Sequence, residues 1–258
     1  MGASLCVGFL GLGEAGSAIA TDLVSLGVEV HAFDPRPVAA PRGVRIVAAP
    51  RELADADVIL SINSASAAQS AAAAMAPYLG AEMVYADLNS ASAALKRAVA
   101  GVIETTGALF ADVALMATVP GNGVRTPSFA SGPGAARFSE MLRPLGMPVQ
   151  AIGAEPGAAS TRKLLRSVWM KGIAVTAVEA LGAAEAAGCH AWMWEEIAST
   201  LSNADEALLR RLVDGTMRHA ARRGHEMQDV SALLRELGLV PHISQAAAEA
   251  LHELARTG

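Results

Sequence analysis

The chain has 258 residues, enough for one large or two modest domains, and its two cysteines, Cys6 and Cys189, make neither a disulfide framework nor a metal-ligand spacing. A net charge of −5 and a pI near 5.7 give no global attraction for nucleic acid, and no apolar run reaches the roughly 18 uncharged residues of a membrane span. The start, MGASLCVGFLG, runs straight into a strand pattern without the basic start and cleavage site of a signal peptide, so the expected compartment is the reducing cytoplasm.

In chain order, the first predicted strand is Leu5 to Leu10. It leads through Gly11-Leu12-Gly13-Glu14-Ala15-Gly16 into a helix with Ile19, Leu23 and Leu26 at helical spacing. Gly27 stops that helix, and a second strand, Val28 to Phe33, closes on Asp34. Strand, glycine turn, helix, strand and acid within about 30 residues form the context that a dinucleotide-binding unit requires. Gly11 permits the tight turn, Gly13 lets backbone N–H groups approach a pyrophosphate, and Gly16 lets the helix pack on the strand. All six turn residues are expected to bind cofactor, with Asp34 accepting hydrogen bonds from the ribose.

Further strands are predicted at Val44 to Val47, Val58 to Ile62, Met83 to Ala86 and Leu109 to Leu115. Between them lie a small helix from Pro50 (RELADA), an alanine-rich helix to about Ala76 and a helix capped by Ser92. This alternation implies a doubly wound, mostly parallel α/β sheet of the Rossmann type, whose ligands sit beyond the strand C-terminal ends, where Gly11, Asp34, Asn63, Asn89 and Met116 fall. Asn122-Gly123 carries the chemistry of a two-residue hairpin turn. A helix near Ala135 to Leu142 and a strand near Val149 to Ile152 finish the dinucleotide-binding domain, residues 1–154. Residues 155–258 are expected to form an all-α domain for the substrate cleft and dimerisation, starting with a helix from Ala158 to about Ala187.

Lys163 and Ser167 stand four apart on that helix and share a face, near the expected junction of the two domains. A lysine ammonium in a partly dry cleft can protonate a developing alkoxide; a solvated helix lysine beside Arg162 and Arg166 is the plainer reading. Arg218, His219, Arg222, Arg223, His225 and Glu226 read either as a solvated helix with charge pairs or as an anion site. His31 reads as a satisfied core or edge residue, both cysteines as small core residues, and Trp169, Trp192 and Trp194 as core or subunit contact. No His/Cys/Asp spacing suits a metal.

GFLGLGEAG near the start, DLNS at Asp87 to Ser90 and GAASTRKLLRS at Gly157 to Ser167 resemble the β-hydroxyacid dehydrogenase family, with its 3-hydroxyisobutyrate dehydrogenases and the NAD-binding domain of 6-phosphogluconate dehydrogenase. The resemblance extends through nearly the whole chain, and the DLNS wording with a compact helical C-terminus is similar to one branch of the family. In the family a lysine six residues after the glycine of the helix start is the acid/base group, and Lys163 holds that place after Gly157. Two positions depart from the pattern. Ser167 replaces an asparagine, and Met116 stands where a serine would hold a substrate carboxylate, leaving Asn89, Ser90 or Thr118 to take that part.

The resemblance thus implies an NAD(P)-dependent oxidoreductase that moves a hydride between nicotinamide and a carbonyl or alcohol carbon of a small, β-hydroxyacid-like molecule. Lys163 and Ser167 are its catalytic residues, Asn63 and Asn89 belong with the cofactor, and Ser90, Met116 and Thr118 line the substrate. An imine reductase and a cofactor-binding protein without turnover are the alternatives. NAD is expected over NADP, because Asp34 would repel a 2′-phosphate and Pro35 and Pro37 would aim Arg36 outward. The expected partners are a small-molecule substrate and a second copy of the chain. A homodimer through the C-terminal helices suits a chain that is 52% apolar but 4% aromatic, and relatives in the family associate in this way.

Overall fold

A computed structural model describes residues 5–36 and 38–257; residues 1–4, read above for a leader signal, and Pro37, read as a constraint on Arg36, lie outside the described residues. The chain forms two compact units that divide between Arg166 and Ser167.

The first unit is built on eight strands: β1 (Cys6–Leu10), β2 (Glu29–Phe33), β3 (Arg45–Ile46), β4 (Val58–Ser61), β5 (Val84–Asp87), β6 (Leu109–Leu115), β7 (Ser128–Ser131) and β8 (Val149–Ala151). They lie in the order β3-β2-β1-β4-β5-β6-β7-β8. β1 to β6 are mutually parallel, β7 runs antiparallel to β6, and β8 is parallel to β7. The doubly wound, mostly parallel sheet is therefore present, and its order reverses beside β1, between β2 and β4, where such sheets open a ligand crevice. Helices α1 (Glu14–Ser25), α2 (Ala68–Met75), α3 (Ala93–Glu104) and α4 (Ala135–Leu142) belong to this unit. One face of the sheet packs Val7, Phe9, Val84 and Val113 with Ile19 and Leu23 of α1 and Phe138 and Leu142 of α4; the other packs Ile59, Tyr85 and Phe110 with Met75 of α2 and Val99 and Ile103 of α3.

Two local expectations are corrected. The RELADA stretch is a 3-10 turn, Pro50–Leu53, because Ala56 N–H already donates to Leu53 O and Asp57 N–H to Cys6 O, which turns the chain into β4 within a few residues. Asn122-Gly123 is not a hairpin turn. Both primed two-residue turns need positive φ at the first central residue, yet Asn122 sits at φ −107° and only Gly123, at +54°, is left-handed. The connection instead forms a 3-10 turn, Gly123–Arg125, held to α1 by Val124 N–H donating to Asp22 Oδ2 at 2.9 Å.

The helix α5 (Ala158–Ala186) starts in the first unit and enters the second, which continues with α6 (His190–Ser202), α7 (Glu206–Arg218), α8 (Ala220–Glu236) and α9 (His242–Thr257). Glu179 of α5 caps α9, accepting from the N–H groups of Ile243 and Ser244, both at 2.8 Å, and from Ser244 Oγ. Burial alone would raise its pKa, but these hydrogen bonds and the nearby His242 outweigh it and hold the carboxyl below its ordinary value. Among the described residues of this unit the buried apolar side chains are Ala184, Ala220, Leu234 and Ala248. Val168, Trp169, Val178, Trp192, Trp194 and Met217 are all more than half exposed. The basic cluster around α8 is partly paired, Arg222 with Glu226 at 3.8 Å and Arg223 donating to Thr216 Oγ1 at 2.5 Å. No helix among the described residues is long and apolar enough to cross a membrane.

Candidate functional site

The three glycines after β1 are required for three different reasons. Gly11 has φ +104° and donates its N–H to Phe33 O at 2.9 Å, and a Cβ there would overlap the Ile62 carbonyl oxygen. Gly16 lets α1 pass over the turn: a Cβ would stand 2.5 Å from Gly11 O. Gly13 caps α1 in an extended conformation, φ −67° and ψ −169°, and a Cβ there meets nothing within 4 Å. The protein leaves that space open, above the free N–H groups of the first helical turn, where Glu14 and Ala15 follow. Leu12 N–H points the other way and donates to Asp34 Oδ2 at 3.0 Å, which ties the turn to the end of β2.

Asp34 is almost wholly buried, with 2% of its side chain exposed, and faces the exposed guanidinium of Arg36 at 3.2 Å. Burial alone would raise its pKa, but the Arg36 side chain and the N–H groups of Leu12 and Arg36 outweigh it, so the carboxyl is held below the ordinary carboxylate value. A cavity of about 590 Å³ lies against these residues, with Gly11, Gly13, Asp34, Arg36, Asn63 and Ser64 among its lining. Its size is ordinary for a small-molecule or cofactor site.

Beyond β4, β5 and β6 lies a buried polar network. Asn63 N–H donates to Asn89 Oδ1 at 2.6 Å, and Asn89 Nδ2 donates to Asp87 Oδ1 at 2.7 Å. Lys96 of α3 has no solvent exposure at all. Its ammonium lies 3.1 Å from Asp87 Oδ1 and 3.3 Å from Asp112 Oδ1, and donates to Asp87 O at 2.7 Å. Asp112 in turn receives Ser160 Oγ at 2.7 Å, Ser160 N–H at 3.0 Å and Ser131 Oγ at 3.3 Å, and Ser131 Oγ accepts Ala159 N–H at 2.9 Å. Asp112 and Ser131 satisfy the Ser160 and Ala159 N–H groups in the first turn of α5 and fix that helix to β6 and β7.

Lys163 stands one turn after these contacts. Gly157, at φ +93°, brings the chain against α3, where a Cβ would lie 2.9 Å from Ala93 Cβ. Lys163 Nζ donates to Ser90 Oγ at 2.7 Å, and Ser90 is exposed on the loop after β5. Met116 follows β6 and is half-buried, while Thr118 is exposed and its carbonyl accepts Asn122 Nδ2 at 2.7 Å. Asn89 is committed inside the protein, so its side chain orders Asn63. Ser167 lies one helical turn beyond Lys163 and is half-buried. Sequence reading missed Lys96, Ser131 and Ser160. A lysine within an amphipathic helix gives no signal of burial; the sole cue was two aspartates, Asp87 at the end of one strand and Asp112 inside the next, with no cation to match them.

The profile of the family described as the NAD binding domain of 6-phosphogluconate dehydrogenase matches residues 6–149, more than half of the chain. The chain belongs to this NAD-binding family. A second profile, a domain of unknown function (DUF1932), matches residues 184–254. A conserved hypothetical protein from Sinorhizobium meliloti is 32% identical with a TM-score of 0.66, over 97% of this chain and 88% of that one. A conserved protein of unknown function, described as structurally similar to 3-hydroxyacid dehydrogenases, is 28% identical with a TM-score of 0.64, over 98% and 97%. The V8 variant of an imine reductase from Myxococcus stipitatus in complex with NAD+ superposes with a TM-score of 0.83 over 99% and 95% at 17% identity, which is likeness of fold.

The residues of this family member fit a dinucleotide. The space over Gly13 admits a pyrophosphate. Asn63 Oδ1 is a buried acceptor with no hydrogen-bond partner among the described residues, and Asn63 lines the cavity, so a hydroxyl or amide donor of the cofactor would satisfy it. Asp34 and Arg36 both line the cavity, where the one would suit ribose hydroxyls and the other a phosphate.

Proposed function

We propose that the protein is an NAD(P)-dependent oxidoreductase of the 3-hydroxyacid dehydrogenase type, acting on a small molecule, with Lys163 as its general acid/base. The observation that carries this reading is the Lys163 ammonium 2.7 Å from Ser90 Oγ, on a helix start clamped by Asp112 of β6 and Ser131 of β7. Bound nicotinamide would supply two-electron redox chemistry. Lys163 Nζ would hold the proton, give it to the substrate oxygen in reduction and recover it in oxidation. Ser90 Oγ, accepting from that ammonium, would keep it aimed, while Ser90, Met116 and Thr118 line the substrate and Ser167 supplies a further hydroxyl.

Met116 favours a second reading. A half-buried apolar side chain where relatives in the family place a serine makes a poor carboxylate anchor, and suits the bulkier, less acidic substrate of an imine reductase. Both readings are tested together by following NADH and NADPH consumption with a panel of hydroxyacid, aldehyde, ketone and imine substrates. Lys163→Ala should lower turnover about 10²- to 10⁴-fold while cofactor affinity stays unchanged. Activity within a few-fold of wild type refutes the assignment. Tight NADH binding with no consumption of any substrate favours a cofactor-binding protein without turnover.

A homodimer completes the proposal. A helical unit whose buried apolar residues, among those described, are three alanines and one leucine, while Val168, Trp169 and Val178 stand exposed, has little core for its size. A second copy covering those faces would supply it.

A further inference from the structure

We propose that Cys6, Glu29 and His31 bind a divalent cation of the zinc class at the end of the sheet opposite the glycine turn. In the linear sequence these residues show no ligand spacing, and the strand pairing creates it. Cys6 of β1 is the register partner of Glu29 of β2, and His31 follows two residues along the same face. Cys6 Sγ, a carboxylate oxygen of Glu29 and a ring nitrogen of His31 all lie within 4.8 Å of one another, and His31 Nε2 is already 3.0 Å from Glu29 Oε1. Tetrahedral zinc with bonds of about 2.0–2.3 Å separates its ligands by roughly 3.3–3.8 Å. Modest rotations of the Glu29 and Cys6 side chains therefore close the triad.

The donor set selects the ion. Sulfur, imidazole nitrogen and one carboxylate suit zinc, whereas calcium and magnesium require oxygen cages. The surroundings are negative: Asp57 accepts Cys6 N–H at 2.8 Å, and burial, then Glu29, Asp57 and Asp55, push the Cys6 thiol up to about 11, so a bound ion displaces the thiol proton to solvent. Arg45, the register partner of His31, is exposed and is outnumbered by these carboxylates. Glu29 is 59% exposed and His31 13%, so an ion can enter and a water can take the fourth position. Cys6 and Glu29 open the strands whose far ends carry Gly11 and Asp34, about 13 to 17 Å away along the chain. The ion would clip β1 to β2 without touching the dinucleotide, and the proposal does not depend on which reaction the protein performs.

The test uses the full chain stripped of metal by a chelator. Calorimetric titration with Zn²⁺ should show one equivalent bound, and Co²⁺ should give a thiolate-to-metal charge-transfer band. Cys6→Ser should abolish that band, and His31→Gln should weaken Zn²⁺ binding at least tenfold; Cys189→Ser should leave both unchanged. NADH affinity should stay unchanged in every variant, which also reports that each is folded. Absence of Zn²⁺ binding by the wild-type chain, a Co²⁺ complex without the thiolate band, or equal Zn²⁺ uptake by Cys6→Ser overturns the proposal.

Discussion

Replacing Gly11 and Gly13 separately by alanine should give opposite phenotypes, although the two lie two residues apart in one turn. At Gly11 the backbone is at φ +104° and the added methyl group would overlap the Ile62 carbonyl oxygen. Holding alanine in such a conformation costs about 1–3 kcal/mol, and forcing the neighbouring backbone aside costs a similar amount, roughly 2–6 kcal/mol together. Against a total stability of about 5–15 kcal/mol, that loss is severe. At Gly13 the backbone already suits alanine and the methyl group meets nothing within 4 Å. Restricting the unfolded chain stabilises by about 0.4–1 kcal/mol, and alanine is the poorer N-cap by a similar amount, so the two effects cancel to within about 0.5 kcal/mol. The methyl group would, however, occupy the space assigned to the pyrophosphate, weakening NADH at least about tenfold, or 1.4 kcal/mol. Urea unfolding gives the stabilities and NADH fluorescence titration gives the affinities. Wild-type affinity in a folded Gly13→Ala, or a destabilisation equal to that of Gly11→Ala, would refute the distinction.

Asp34→Ala should narrow a preference for NADH over NADPH, because it removes the acceptor for ribose hydroxyls and releases Arg36 to meet a 2′-phosphate; tighter NADPH than NADH binding by the wild type contradicts the cause. Glu179→Ala should cost about 1–2 kcal/mol through loss of the α9 cap, read by denaturant unfolding. Because the folded-state pKa of Glu179 lies below its ordinary 4.5, this contribution is complete above pH 4.5 and is lost as pH falls through the lowered value. Glu179→Gln should lack that acid-dependent loss, and an unchanged acid profile would show that the cap does not titrate. Sedimentation should find a dimer that Val168→Asp with Val178→Asp dissociates; a stable wild-type monomer at micromolar concentration would exclude the shared interface.

Most of the sheet was legible because its signals are local. Glycines at fixed offsets, apolar runs of strand length and an acid at the end of β2 each report on their own few residues. The ends of α4 and the length of α5 followed from the same kind of signal. The Asn122-Gly123 turn was misread because its conformation is imposed by Asp22, a hundred residues earlier in the chain, and local turn chemistry has no view of that carboxylate. Lys96 was passed over for a related reason. Its burial depends on two aspartates arriving from different strands, while its own neighbours in α3 read as an ordinary amphipathic surface. Lys163 was found through the glycine that precedes it, whereas Ser160, three residues away and bonded to Asp112, carries no mark in the sequence.

The recognisable dinucleotide-binding stretch ends at residue 149, yet the hydrogen bonds of Asp112 inside it are not complete until residue 160 is in place. Asp112 and Ser160 are separated by 48 positions. A fragment cut where the family match stops would fold its sheet around a carboxylate stripped of the Ser160 N–H and hydroxyl, leaving Asp112 with Lys96 and Ser131 Oγ. At about 1.5–3 kcal/mol for each charge-assisted hydrogen bond, such an excision forfeits roughly 3–6 kcal/mol, a large share of what a domain of this size has to lose. A piece that keeps this network whole therefore runs at least to Ser160, inside α5, and a boundary chosen by sequence likeness would cut it too short.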